Sequence, residues 1–145
     1  MKIRFETKVK GGYVEIMKRF DKDLFEALKP KQGDMEILEF TGSETGDRVH
    51  LRFNSPLKME WISDIVDHGL TESQAYFVDV GVKLPTPLSF WRHQHIVEKI
   101  DDKYSLIIDD ITFKAKPFFL TPVLYPALYA AFYPRKTIYQ DYFGI

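Results

Sequence analysis

The sequence predicts an α+β fold in which a curved sheet of six or seven antiparallel strands wraps a long C-terminal helix, with two short helices after the first strand. Three observations predict it. Apolar residues recur with period two in most segments between Lys2 and Lys114, the pattern of half-buried strands. Helical spacing occurs in only two places, just after the first strand and at the C-terminal end. The remaining strands follow one another across turn residues, without helices between them, which excludes a doubly wound parallel sheet.

Taken in order, Lys2 to Val9 alternates Ile3, Phe5, Thr7 and Val9 against Lys2, Arg4, Glu6 and Lys8, a strand with one charged face. Gly11-Gly12 ends it. Val14, Met17, Phe20, Leu24 and Leu28 recur at three- and four-residue intervals; Asp21 is placed to cap a second helix from about Lys22 to Leu28. Pro30 and Gly33 stop that segment. Strands are expected over Met35 to Phe40, after Gly46-Asp47 up to Pro56, over Met59 to Val66 and over Gln74 to Val82, with Asp67-His68-Gly69 read as a turn. Lys83 to Ser89, with Pro85 and Pro87, reads as an irregular connection. Lys116-Pro117 ends the last strand. From Phe118 to Tyr142, Leu120, Leu124, Leu128 and Phe132 form one helical stripe and Tyr125, Tyr129 and Tyr133 another, with Pro126 and Pro134 predicting a break or kink.

At 145 residues and 17.0 kDa the chain is expected to form a single domain over residues 1–145. Twenty basic and 21 acidic residues leave a net charge of -1, which gives no general attraction to nucleic acid or an anionic membrane and leaves only local patches. The absence of cysteine removes disulfides, a thiol nucleophile and thiolate metal sites, and a reducing cytoplasm is the expected location. The N-terminal MKIRFETKVKGG does not read as a signal peptide. The apolar run from Phe118 to Tyr133 is too short and too proline-rich for a membrane span, so no membrane insertion is expected. Gly11-Gly12, Gly42 and Gly46 form no phosphate-binding fingerprint. Nucleotide and flavin cofactors are therefore not expected, and nor is any other.

The most informative stretch is Trp91 to Asp110. As two strands joined at Asp101-Asp102-Lys103, it puts Trp91, His93, His95 and Val97 on one face of the first strand. Ser105, Ile107, Asp109, Ile111 and Phe113 share one face of the second. Two histidines and an aspartate thus fall on otherwise apolar faces. A buried carboxylate needs a histidine, arginine or backbone partner, so Asp109 is expected to pair with a histidine or arginine, and Arg135 with an acidic residue of the sheet. A metal at His93 and His95 would need further ligands, with Asp109 or Asp79 as the candidates. No motif fixes those positions, and no metal is expected.

The element order, with Gly46-Asp47-Arg48-Val49, Phe77-Val78-Asp79, Phe90-Trp91-Arg92-His93-Gln94-His95, Ile108-Asp109-Asp110-Ile111 and Tyr133-Pro134-Arg135, resembles the START-like or SRPBCC superfamily. The likeness is to the small bacterial ligand-binding and polyketide cyclase/dehydratase-like members of this birch-pollen-allergen-like group. The resemblance implies a helix-grip fold enclosing an apolar cavity. It implies no universal catalytic residue, because this fold serves carriage, sensing, cyclisation and structural roles alike.

Three functions follow as expectations. The first is binding or carriage of a small hydrophobic or amphipathic molecule between the sheet and the C-terminal helix. Trp61, Trp91, His93, His95, Tyr125 and Tyr129 would line the site, and a pocket above roughly 300 Å³ is expected for it. The second is acid–base catalysis of the aromatase, cyclase or dehydratase kind on a polyketide-like or other apolar substrate, with His93, His95 and Asp109 as catalytic candidates; it requires an imidazole within about 3.2 Å of a carboxylate in the cavity. The third is a structural or partner-binding domain with a filled core and an exposed apolar patch. The oligomeric state is left open.

Overall fold

A computed structural model describes residues 1–30, 34–55 and 57–145. The strands are β1 (Lys2–Lys10), β2 (Asp34–Phe40), β3 (Arg48–Ser55), β4 (Met59–Leu70), β5 (Gln74–Lys83), β6 (Leu88–Lys99) and β7 (Tyr104–Ala115). Helices α1 (Tyr13–Lys18) and α2 (Lys22–Ala27) follow β1, and a 3-10 turn (Phe118–Leu120), α3 (Thr121–Phe132) and α4 (Arg135–Phe143) end the chain. The seven strands form one antiparallel sheet in the order β1-β7-β6-β5-β4-β3-β2. Every neighbour except the β1–β7 pair is therefore a hairpin. Register shifts between Ile37 and Glu39, Ile62 and Ser63, and Ile65 and Asp67 add the local bends that curl a sheet into a half-barrel.

Local chemistry accounts for these elements. In β1, Ile3, Phe5, Thr7 and Val9 are buried while the charged residues between them are exposed. The Asp21 carboxylate accepts a hydrogen bond from the Leu24 backbone N–H at 3.1 Å, so the expected second helix is capped as the sequence indicates. It presents Leu24 and Leu28 to a core shared with Ile16, Phe20, Val97, Ile107 and Tyr139. Gly33 and Pro56, read as terminators, lie outside the described residues.

One expectation is corrected. Asp67-His68-Gly69 is not a turn: it belongs to β4, opposite Val78, Phe77 and Tyr76. Gly69 is there for packing, since a Cβ at that position would come within 2.8 Å of Tyr76 Cε1. The turn lies at residues 71–73, where the Thr71 N–H donates to the Gln74 carbonyl at 2.8 Å. In the C-terminal segment one of the two expected breaks is present. Pro126 is tolerated inside α3, but at Pro134, which has no N–H to continue the ladder, the chain turns and α4 begins. The two helices divide the sheet between them. Leu124, Leu128 and Phe132 of α3 pack on Ile3, Phe5, Trp91, Ile111 and Phe113, while Tyr139 of α4 packs in the other cluster.

Candidate functional site

The concave face of β5, β6 and β7 carries a polar cluster set by register. Asp79 of β5 lies opposite His93 of β6, and His95 of β6 lies opposite Asp109 of β7. Paired residues share a face, so two carboxylates flank two imidazoles across three strands. The bonds run diagonally. His93 Nε2 meets Asp109 Oδ1 at 2.8 Å, His95 Nε2 meets Asp79 Oδ2 at 2.7 Å, and Trp91 Nε1 donates to Asp79 Oδ1 at 3.2 Å. The imidazole rings stack with centroids 3.6 Å apart, and His95 stacks in turn on Phe77 at 4.1 Å. From the helical side, the Tyr139 hydroxyl donates to Asp109 Oδ1 at 3.4 Å, and Arg135 Nη1 stands 3.8 Å from the same oxygen. All four members of the cluster are buried.

Burial and pairing oppose each other here, and the balance differs by residue. Burial alone would raise the pKa of Asp109, but the His93 hydrogen bond and the charges of His93 and Arg135 win and hold it at about 2. Asp79 is likewise below the ordinary carboxylate range: burial raises it, and the His95 and Trp91 hydrogen bonds with the imidazole charges outweigh that. For His95 burial dominates, repulsion from His93 adds to it, and the bond to Asp79 only partly offsets them, leaving a pKa of about 4. Burial, and then the Asp109 charge, push the Tyr139 phenol upward. At neutral pH both carboxylates are therefore ionised, Tyr139 keeps its proton, and His95 is neutral. His95 Nε2–H donates to Asp79, leaving Nδ1 without a hydrogen-bond partner among the described residues.

Above this polar wall lies a partly enclosed cavity of about 180 Å³. Met35, Phe40, Leu51 and Phe53 of β2 and β3 close one side, Phe25 and Leu28 the end near α2, and Leu128, Ala131 and Phe132 the roof. Four of the residues expected to contact a ligand, Trp61, Trp91, His93 and His95, border it. The two indoles meet edge to face at 4.7 Å. Asp79 and Arg135 also border it, while Asp109 lies behind His93.

Tyr125 and Tyr129 are the correction. They do not line the cavity but stack in a row with Tyr133, at 6.0 and 5.7 Å, against Phe5 at the β1 edge. They sit one residue on from Leu124 and Leu128, a rotation of about 100° around the helix, and the leucine stripe takes the inward position. The volume is a second correction, since it falls below the roughly 300 Å³ expected of the pocket. Large side chains, Phe25, Phe53, Trp61 and Phe132 among them, occupy much of the space between sheet and helix.

Sequence reasoning missed the contribution of β2 and β3 and the place of Arg135 at the cavity edge. The spacing Leu128, Phe132, Arg135 was the available signal for the latter, since these positions share a helical face. Asp79, His93 and His95 are the described residues whose ligand atoms cluster as a metal site would, within 4.8 Å of one another. The bonds from His95 to Asp79 and from His93 to Asp109 already commit these side chains to one another, so the arrangement is that of a hydrogen-bonded wall.

No protein-family model matches the chain, and no curated protein matches it in sequence. Solved structures do match its shape. A hypothetical protein from Helicobacter pylori superposes with a TM-score of 0.71 at 13% identity, over 99% of this chain and 88% of that one. An aromatase/cyclase from a Streptomyces species gives 0.69 at 12% identity, over 95% and 90%. A truncated norcoclaurine synthase from Thalictrum flavum gives 0.68 at 14% identity, over 97% and 91%. The chain has a helix-grip fold. At these identities the likeness concerns the helix-grip fold alone, and the activities of the two named enzymes remain theirs.

Proposed function

We propose that this helix-grip protein binds a small amphipathic molecule, about one aromatic ring in size, in the cavity between its sheet and α3. One observation carries the reading: an apolar cavity is bordered on one side by imidazole, carboxylate and guanidinium groups. Apolar walls supply affinity through excluded water, and a few convergent polar groups supply orientation. A dry cavity of about 150 Å³ accommodates one benzene ring, so about 180 Å³ suits a single substituted ring and not a multi-ring polyketide. The guanidinium of Arg135, bordering the cavity and stacked on Phe132 at 4.4 Å, would receive the ligand's oxygen acceptor.

The chain has two tryptophans and both border the cavity, so their emission reports its occupancy. Titration with p-cresol is expected to change that emission saturably, and Leu128→Phe, which enlarges a half-buried side chain of the roof, is expected to weaken the response. An unsaturable response, or one identical in that variant, would rule the reading out.

Acid–base catalysis is the second reading, favoured by both imidazoles standing within 2.8 Å of a carboxylate at the cavity. It is the weaker one. An effective base has a pKa near the working pH, and His95 at about 4 is far below it. With a one-ring substrate, turnover that survives replacement of both His93 and His95 by glutamine would eliminate it.

A further inference from the structure

We infer, resting on the cavity reading proposed above, that the ligand is a ring with a hydrogen-bond acceptor at each end, one taken by Arg135 and the other by the Ser63 hydroxyl. Ser63 of β4 is 5% exposed and borders the cavity. Its Oγ accepts from Trp61 Nε1 at 3.0 Å. A hydroxyl also has a proton of its own to donate, and that of Ser63 meets no acceptor among the described residues. A buried donor left unmatched costs free energy and is uncommon in folded proteins. One that borders a cavity marks a place for an acceptor on the ligand.

The neighbouring donors are committed elsewhere. Trp61 donates to Ser63, and Trp91 to Asp79 Oδ1 at 3.2 Å. Each imidazole holds a carboxylate, His93 Nε2 that of Asp109 and His95 Nε2 that of Asp79. Arg135 is the exception, because its Nη1 has no hydrogen-bond partner among the described residues. The guanidinium and the serine hydroxyl are thus the two donors left for a ligand. The sheet sets them apart. Arg135 stands 3.8 Å from Asp109 of β7, while Ser63 lies opposite Gly81 of β5, with β5 and β6 between β4 and β7. At about 4.8 Å per strand, three spacings separate the two positions by roughly 14 Å before the curl of the sheet shortens the path. The two side chains reach the cavity from different ends. A ring with an acceptor oxygen at each end meets both donors, whereas a ring with one polar end leaves Ser63 unmatched.

The test is isothermal titration calorimetry of the full chain with p-cresol, 4-hydroxyacetophenone and 4-isopropylphenol, at a pH where all three phenols are neutral. The last two match in shape and differ in whether the group para to the hydroxyl accepts a hydrogen bond. The ketone is expected to bind at least about fivefold more tightly than the alkyl phenol, the net effect of one hydrogen bond. Ser63→Ala should bring the pair to within about twofold of each other while changing the p-cresol affinity by less than about twofold. Ser63→Thr, which keeps the hydroxyl, should keep the preference. Equal affinities of ketone and alkyl phenol for the parent would overturn the inference and leave the cavity reading in place, provided p-cresol binds. A preference that survives in Ser63→Ala would do the same. No binding of any of the three would overturn both. Should Ser63→Ala fail to fold, since Trp61 then loses its acceptor, the parent's own preference decides the case.

Discussion

The polar wall of the sheet and the outer face of α3 invert the usual rule in opposite directions. On β5, β6 and β7, two carboxylates and two imidazoles are buried; on the 3-10 turn and α3, phenyl, valyl and prolyl side chains face outward. Lone apolar residues at a surface are ordinary, whereas buried charge and contiguous exposed apolar area are informative. The buried groups are stabilised internally, each carboxylate by an imidazole and a second donor. The exposed helix has no such internal compensation. One region pairs its carboxylates internally, and the other leaves its apolar side exposed.

The comparison makes a graded set of predictions. The largest effect belongs to Asp109→Ala, which strips partners from His93, Tyr139 and Arg135 at once. Breaking a buried pair from one side destabilises by about 3–5 kcal/mol, measurable by urea unfolding at neutral pH. A loss under about 1 kcal/mol would show that the wall is not held together by these pairs.

Acid comes next. His95 is held at about 4 against about 6.5 in an unfolded chain, so the unfolded state takes up the proton first. The stabilising contribution of neutral His95 is therefore full above pH 6.5 and is lost as pH falls from 6.5 to about 4, a drop on the order of 3 kcal/mol. Asp109, held at about 2, extends the decline below its ordinary range of about 3.9. Unfolding free energies across this range should show the slope, and His95→Gln should flatten its upper part. An unchanged slope in that variant would assign the acid sensitivity elsewhere.

Smaller effects separate the two sides of α3. Leu128 is half-buried at the cavity roof, so Leu128→Ala should destabilise by about 1–2 kcal/mol, below the 2–5 of a fully buried leucine. Val123→Ser, on the outer side of α3 and 65% exposed, should stay within about 0.5 kcal/mol of the parent. Equal thermal shifts for the two would mean that the helix has no distinct inner side.

Much of this architecture is readable in the sequence because strand periodicity is strict. Period two alone puts Trp91, His93 and His95 on one face, and the apolar company of Asp109 marks it as a residue needing a partner. Which histidine it takes is a matter of register: Asp109 sits opposite His95 but bonds His93, a diagonal that no single strand encodes. The Asp79 bonds from Trp91 and His95 depend on β5 in the same way. Helical periodicity is looser. The leucine and tyrosine stripes of α3 are adjacent and both apolar, so only the packed sheet decides that Leu128 faces the cavity and Tyr129 faces Phe5. Gly69 misled for a related reason, since its requirement comes from the Tyr76 ring on the neighbouring strand.

The central claim, a one-ring cavity against the imidazole wall, is tested most directly by following the histidine side-chain and tyrosine ring resonances by NMR during a titration with p-cresol. His93 and His95 should shift saturably, while His68, exposed and bonded to Thr45, and the rings of Tyr125 and Tyr129 stay in place. Shifts confined to the tyrosine row, or no saturable shift at His93 and His95, would contradict it.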